Sequence, residues 1–96
     1  MDLKDKKALL KQLGDKWELE NSSTQLTRKY KFKNFMESLK FVIKISEIAE
    51  ALNHHPEISF GWGYCHLVIW THTAKDVTEL DFSLAAKLED AFINRS

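Results

Sequence analysis

The residues of this chain that are best suited to chemistry are histidines. His54 and His55 are adjacent and precede Pro56, and His72 follows a long apolar segment. Imidazole titrates near neutral pH, so it can both donate and accept a proton under physiological conditions. The pattern indicates either acid–base chemistry or an ordinary helix end, in which one imidazole bonds to the last unpaired carbonyls.

One carboxylate stands where it can orient an imidazole of the pair. Glu50 precedes His54 by one helical turn, so the two side chains would share a helix face. Asp81 falls in the first turn of a predicted last helix, where a carboxylate caps unpaired amides. The residues alone therefore predict a capping role for Asp81.

Metal and thiol chemistry are weaker hypotheses. Successive helical residues point about 100° apart, which makes His54 and His55 awkward joint ligands. Neither Cys-x-x-Cys nor His-x-x-x-His spacing occurs, so we expect no metal site. Cys65 stands among large apolar residues, which favours a buried, inert thiol. His66 would lie roughly 20 Å along a strand from His72, so we expect it at the sheet surface or an interface.

Hydrophobic periodicity defines the elements that must position these residues. In chain order we predict a helix over 2–13, strands over 17–20 and 26–32, a helix that Asn34 caps and 53–56 ends, strands over 58–61 and 64–72, and a helix capped by Thr78 and Asp81. The apolar stripes of the three helices begin at Leu3, Phe35 and Leu80. Gly14 is the expected left-handed cap of the first helix.

This order, α-β-β-α-β-β-α, predicts an α+β fold. Two hairpins separated by a long helix favour a four-stranded, largely antiparallel sheet with three helices on one face. The apolar run in the strand over 64–72 predicts a central strand covered on both faces. The length predicts a single domain over 1–96. A domain of this size buries only roughly 60–65% of its unfolded surface, so we expect self-association.

Composition narrows the classes of partner. The chain has 14 basic and 14 acidic residues, which counts against nucleic acid or an anionic membrane as a direct partner. The longest apolar run, over 67–70, is far too short to cross a bilayer, and the first seven residues lack the apolar core of a signal peptide. A single cysteine cannot form an internal disulfide, so we expect a cytoplasmic, reducing context.

The run Glu-Ala-Leu-Asn-His-His-Pro over 50–56, followed by Trp62, His72 and Asp81, resembles the signature of the pterin-4a-carbinolamine dehydratases. Trp17 and the Tyr-Lys-Phe at 30–32 are also similar to that family's first two strands, so the resemblance covers nearly the whole chain. The chain departs from some relatives at two positions. Asn53 replaces an acidic residue, and Leu80 replaces an arginine.

The resemblance implies a dehydratase that converts 4a-hydroxytetrahydrobiopterin to quinonoid dihydrobiopterin and water. This step recycles the pterin cofactor of aromatic amino-acid hydroxylases and needs no metal or organic cofactor. The resemblance implies that His54 and His72 form the acid–base pair, that His55 assists, and that Asp81 holds an imidazole in its tautomer. The substrate-binding residues that it implies are Glu50, Pro56, Trp17, Thr71, Thr73 and Ala74.

The resemblance also implies a homodimer or homotetramer, formed in relatives by pairing of sheet edges. Two alternative functions stay open. Some relatives act as dimerisation cofactors of a transcription factor, and some bacterial relatives are suspected of a role in molybdopterin handling.

Overall fold

The computed structural model describes residues 1–95 as three helices and one four-stranded antiparallel sheet. In chain order the elements are α1 (Leu3–Gln12), β1 (Trp17–Glu20), β2 (Gln25–Lys31), α2 (Phe35–Leu52), β3 (Glu57–Gly61), β4 (Tyr64–Ile69) and α3 (Glu79–Ile93). The order confirms the predicted α+β class. The strands are arranged β1-β2-β4-β3, so β2 and β4 occupy the centre of the sheet.

The core lies between the helices and one face of the sheet. On β4 the buried side chains are Cys65, Leu67 and Ile69, which alternate with residues that are half-buried or exposed. The helices contribute the buried residues Phe41, Ile45, Ala49, Phe82, Leu84, Ala85 and Leu88. The prediction that β4 is covered on both faces is wrong in this chain. Its second face carries Val68 and Tyr64, whose apolar character hides the alternation in the sequence.

The predicted strand over 64–72 ends early, at Ile69. The Thr71 N–H donates to the Asp76 carbonyl at 2.9 Å, and the Ala74 N–H donates to the Thr71 carbonyl at 3.1 Å. These turn bonds fold the chain back on itself, so β4 cannot continue. His72 therefore lies in a tight loop over 70–77 and not on the strand.

The buried faces of the helices are rotated from the predicted stripes in their first turns. Leu3, Phe35 and Leu80 are 49%, 45% and 57% exposed, so none of them belongs to the core. On α2 the buried line begins instead at Ser38, which is fully buried and whose hydroxyl lies 3.2 Å from the Asn34 carbonyl. A small hydroxyl that bonds back to its own helix allows close packing there, and apolar periodicity does not detect it.

The predicted helix caps are confirmed. The Asn34 side chain accepts from the Glu37 N–H at 2.9 Å, and Gly14 has a φ of +96° after α1. At α3, Thr78 and Asp81 form a complete capping box. α3 therefore begins where the sequence predicted, with Asp81 in its first turn.

Lys6 attaches α1 to the loop over 70–77. It is the buried residue of this helix, and its Nζ lies 2.7 Å from Asp76 Oδ1 and 2.9 Å from the Ser23 carbonyl. The hydrogen bond from Lys6 holds the pKa of Asp76 below its ordinary value. The long aliphatic stem packs in the interior while the ammonium group is paired.

Glu89 connects α3 to the sheet through a largely buried network. Its Oε1 accepts from Trp17 Nε1 at 2.8 Å, from the Tyr30 hydroxyl at 2.9 Å and from Arg28 Nε at 3.0 Å. Burial acts to raise the pKa of Glu89. The hydrogen bonds from Arg28, Tyr30 and Trp17 outweigh burial and hold the pKa below its ordinary value. For Tyr30, burial and the nearby Glu89 charge raise the pKa.

The lowered pKa values of Asp76 and Glu89 make the free energy of unfolding depend on pH. A carboxylate whose pKa is lower in the folded state stabilises the fold fully above its ordinary pKa, and this stabilisation is lost as the pH falls below that value and through the lower pKa of the folded state. The ordinary values are 4.5 for Glu89 and 3.8 for Asp76. Glu89→Gln should lower the free energy of unfolding at neutral pH by roughly 1–3 kcal/mol and flatten its decline below pH 4.5.

Urea unfolding at several pH values above and below 4.5 measures both effects. Asp90→Asn is the matched control, because Asp90 is an exposed carboxylate on the same helix. It should change the free energy of unfolding by less than about 0.5 kcal/mol. Parallel pH profiles for the Glu89→Gln variant and the unsubstituted chain would contradict this account of Glu89.

Candidate active site

The C-terminus of α2 turns His54 and His55 out of the helix. Asn53 adopts the left-handed conformation, with φ 52° and ψ 41°. Its N–H donates to the Glu50 carbonyl at 3.2 Å, and the His54 N–H donates to the Ala49 carbonyl at 3.1 Å. This is the hydrogen-bond pattern of a Schellman cap, and asparagine is among the few residues that visit the left-handed region readily. Asn53 thus has a backbone role at the position where some relatives carry an acid.

The carboxylate of Asp81 is the centre of the site, and it is fully buried. Its Oδ1 lies 2.5 Å from Nε2 of His54. Its Oδ2 accepts from the Thr78 N–H at 2.7 Å and from the Thr71 hydroxyl at 2.7 Å. The Thr71 and Thr78 hydroxyl oxygens are themselves 2.8 Å apart. One carboxylate therefore joins the end of α2, the loop after β4 and the start of α3.

The contact with Asp81 occupies one ring nitrogen of His54. Because a carboxylate accepts hydrogen bonds, we assign the donor role to Nε2 of His54. Nδ1 is then the nitrogen left for a ligand. The side chain of His54 is 14% exposed, which leaves little water to compete at the Asp81 bond. The same carboxylate therefore accepts from the backbone at the start of α3 and contacts the His54 imidazole.

Glu50 pairs with His55, where the sequence predicted His54. Its Oε2 and Nε2 of His55 form a short hydrogen bond. The left-handed Asn53 breaks the helical spacing on which the prediction rested. The two side chains are 76% and 53% exposed, so this pair contributes little to stability. It nevertheless orients the His55 ring, as Asp81 orients that of His54.

His72 is exposed and lies in the loop after β4, where it stacks on Trp70. The ring centroids are 4.4 Å apart and the ring planes meet at 21°. His72 directly follows Thr71 in the chain, just as His55 directly follows His54. His54 therefore bonds Asp81 directly, while His55 and His72 each directly follow a residue that does.

Three of the expected substrate-binding residues line one groove. Thr71, Thr73 and Ala74 border a groove of about 1010 Å³ between α1 and the start of α3. Leu80 also lines it, so the position where some relatives have an arginine is apolar here. Among residues 1–95, the lining includes none of the three histidines. The groove adjoins the Asp81 network on its threonine side, and the histidines stand outside it.

The other expected contacts lie elsewhere. Trp17 is 2% exposed, and its indole N–H donates to Glu89, so it belongs to the core. The expectation that Trp17 walls the pocket does not match this placement, because a ligand could reach the ring only by displacing core residues. Pro56 is half-buried between His55 and β3.

Sequence reasoning missed two features of this site. It did not identify the link from Thr78 through Thr71 to Asp81, which depends on how the loop folds. It also did not single out Trp70 as a partner of His72. A signal for Trp70 was present, because residues two apart on an extended segment project to the same side.

Other chemistry is not assembled in the part of the chain that the structure describes. No group of three or more His, Cys, Asp or Glu residues is placed there to hold a metal ion. Cys65 is fully buried, and burial raises the pKa of its thiol to about 11. Over residues 1–95, none of the helices combines the length and apolar character needed to span a bilayer.

Comparison with known sequences gives consistent matches. The family model described as pterin 4 alpha carbinolamine dehydratase matches residues 1–91. A Rickettsia canadensis protein named "Putative pterin-4-alpha-carbinolamine dehydratase" is 44% identical over 89 residues, which cover 93% of this chain and 81% of that protein. A Methylococcus capsulatus protein of the same name is 45% identical over 75 residues, which cover 78% of this chain and 66% of that protein.

Solved structures give the same result for the fold. A Brucella melitensis structure described as a transcriptional coactivator/pterin dehydratase has a TM-score of 0.87 and 30% identity, covering 94% of this chain and 95% of that chain. A pterin dehydratase-like protein described as a RuBisCO assembly factor has a TM-score of 0.68 and 19% identity, covering 81% and 90%. The latter likeness concerns the fold alone. With the family model matching 91 of 96 residues, the chain belongs to the pterin-4-alpha-carbinolamine dehydratase family.

Proposed function

We propose that this chain dehydrates 4a-hydroxytetrahydrobiopterin to quinonoid dihydrobiopterin and water, as a step in tetrahydrobiopterin recycling. The single observation that carries the proposal is the hydrogen bond of 2.5 Å between the half-buried His54 and the buried carboxylate of Asp81. A carboxylate that holds one imidazole nitrogen prepares the other for proton transfer. A helix cap alone would not need the histidine.

The proposed reaction needs an acid and a base. The C4a–O bond of the substrate breaks, and the hydroxyl leaves with an added proton as water. The N5 proton is removed, and the electrons of the N–H bond form the new C4a–N5 double bond. Two imidazoles are suited to these transfers, because each can act in either direction near neutral pH. The proposal requires neither a metal nor an organic cofactor.

We assign these two transfers to His54 and His72. His54 has Nδ1 available for a ligand because Asp81 holds its Nε2. His72 is exposed to solvent in the loop after β4, where a substrate can reach it. His55 assists, with Glu50 orienting its ring. Which histidine acts as the acid is left open in this assignment.

The substrate-binding assignment follows from the same surroundings. Glu50 is exposed beside His55, and a carboxylate there can accept from the pterin amide and amine edge. Pro56 follows His55 and Thr73 follows His72 in the chain, and Thr71, Thr73 and Ala74 line the neighbouring groove. Trp17 is left out of this assignment because it is buried.

Replacing either proton-transfer histidine should abolish most of the catalysis. We expect His54→Ala and His72→Ala each to lower kcat by about 10²–10⁴-fold, the usual contribution of a positioned acid or base. The measurement is stopped-flow dehydration of chemically generated 4a-hydroxytetrahydropterin. His66→Ala is the matched control, because it removes an imidazole from β4 outside the site and should leave kcat unchanged. Normal turnover by a His54→Ala, His72→Ala double variant would refute the mechanism.

Asp81→Asn should separate the cap from the chemistry. The amide oxygen can still accept from the Thr78 N–H, but the group can no longer accept from all the donors that surround it. Nε2 of His54 would then have to accept a hydrogen bond instead of donating one. We therefore expect kcat to fall roughly tenfold or more. Thr78→Val, which removes the capping hydroxyl and leaves the Asp81 carboxylate, is the comparison.

Urea unfolding is measured alongside kcat for both variants. Thr78→Val should lower the free energy of unfolding by about 1 kcal/mol. It should lower kcat less than Asp81→Asn does. If folded Asp81→Asn kept the kcat of Thr78→Val, Asp81 would be a helix cap and nothing more.

A second candidate function is protein binding, and α2 carries the observation that favours it. Met36 and Ile43 are seven residues apart on one helix face and are 56% and 54% exposed. The Brucella structure is described as a transcriptional coactivator as well as a dehydratase. A binding role needs the apolar face and does not need the histidines, so substitutions on the two surfaces should separate the functions.

We also propose that the chain forms at least a dimer, and that it works in the cytoplasm. Strands β1 and β3 are edges of the sheet, and exposed apolar residues add to the surface that a second copy would cover. Sedimentation velocity at micromolar concentration should show a dimer or tetramer. Met36→Ser with Ile43→Ser tests whether α2 contributes. A monomer for the unsubstituted chain would contradict the proposal.

A further inference from the structure

The contact between Trp70 and His72 holds a histidine that stands in a loop. The rings are close to parallel, with an interplanar angle of 21° and centroids 4.4 Å apart. Trp70 is half-buried, while His72 is exposed. An exposed imidazole on a loop would otherwise change rotamer freely, since its side chain has two rotatable bonds. The indole face removes part of that freedom.

The backbone between the two rings is fixed independently. Thr71 donates its N–H to the Asp76 carbonyl at 2.9 Å and its hydroxyl to Asp81 at 2.7 Å. These bonds hold the Thr71 side chain on the Asp81 side. Trp70 and His72, one residue to either side, are then left free to meet each other. The stack is therefore supported by the same network that holds His54.

We propose that Trp70 is a positioning residue for His72, an inference that rests on the proposed function. Its indole face holds the imidazole in the orientation from which His72 exchanges a proton with the substrate. Trp70 itself takes no part in the chemistry. A proton-transfer group must lie within hydrogen-bond reach of its target, and small misplacements of such groups are costly to the rate.

The same chain contains a natural comparison on β4. Tyr64 and His66 are also an aromatic and a histidine two residues apart, with ring centroids 5.0 Å apart and planes meeting at 52°. His66 pairs with Lys29 and Ser59 in the middle of the sheet. Nothing in the proposed mechanism uses this pair. A substitution of Tyr64 therefore shows the effect of removing an aromatic neighbour from a histidine outside the site, for comparison with the removal of Trp70 from His72.

Kinetics of Trp70 variants provide the first test. Trp70→Leu keeps an apolar side chain but removes the aromatic face, and it should lower kcat roughly tenfold or more while KM changes little. Trp70→Phe restores an aromatic face and should recover most of the activity. In the His72→Ala background, Trp70→Leu should have no further effect on kcat. Tyr64→Leu, the matched control, should leave kcat unchanged.

Proton–carbon NMR of the histidine rings provides a second readout that needs no turnover. In the unsubstituted chain, the His72 ring protons should be shifted upfield by the indole ring current. Trp70→Leu should remove this shift, and Tyr64→Leu should leave it in place. The readout also covers the case in which Trp70→Leu fails to fold, because the unsubstituted chain and Trp70→Phe still show whether the stack exists.

The outcomes separate this inference from the function on which it rests. No acceleration by the unsubstituted chain would refute the dehydratase proposal, whatever the NMR shows. Turnover without an upfield shift, or an equal loss of kcat from Trp70→Leu with and without His72, would refute the role of Trp70 alone. A ring-current shift together with kinetic coupling to His72 supports the inference.

Discussion

The buried carboxylate of Asp81 is the constraint on which the site depends. It has no exposure to water, so its charge must be satisfied by donors inside the protein. Those donors come from three places: His54 after α2, Thr71 after β4 and Thr78 before α3. If any of these segments moved, a buried charge would lose a hydrogen bond. The need to satisfy one carboxylate therefore sets the relative positions of the segments that carry the histidines.

The rest of the fold supports this junction from both sides. The Schellman cap at Asn53 delivers His54 and His55 out of α2, and Lys6 ties α1 to the loop that carries Thr71 and His72. Farther along α3, Glu89 connects the helix to Arg28, Tyr30 and Trp17 of the sheet. Two carboxylates on one helix thus have different tasks: Asp81, which is buried, lies at the site, and Glu89, which is half-buried, connects the helix to the sheet.

The element order and the caps could be predicted from sequence, because they depend on local periodicity and on residues close in the chain. The roles of the histidine trio follow from the family resemblance and stay a prediction. The partner of Glu50 could not, because the left-handed Asn53 breaks the helical spacing. The end of β4 was missed because loop bonds, which apolar runs do not encode, stop the strand. The family resemblance predicted that Trp17 walls the pocket, but its indole N–H donates to Glu89, which lies 72 residues farther along the chain.

We propose that the histidines around Asp81 dehydrate a 4a-hydroxypterin. The most direct test of this proposal is the rate at which the unsubstituted chain converts chemically generated 4a-hydroxytetrahydrobiopterin, compared with the rate in buffer alone. We expect a clear acceleration that saturates with substrate and appears as quinonoid dihydropterin. A rate equal to that in buffer, measured with folded protein, would contradict it.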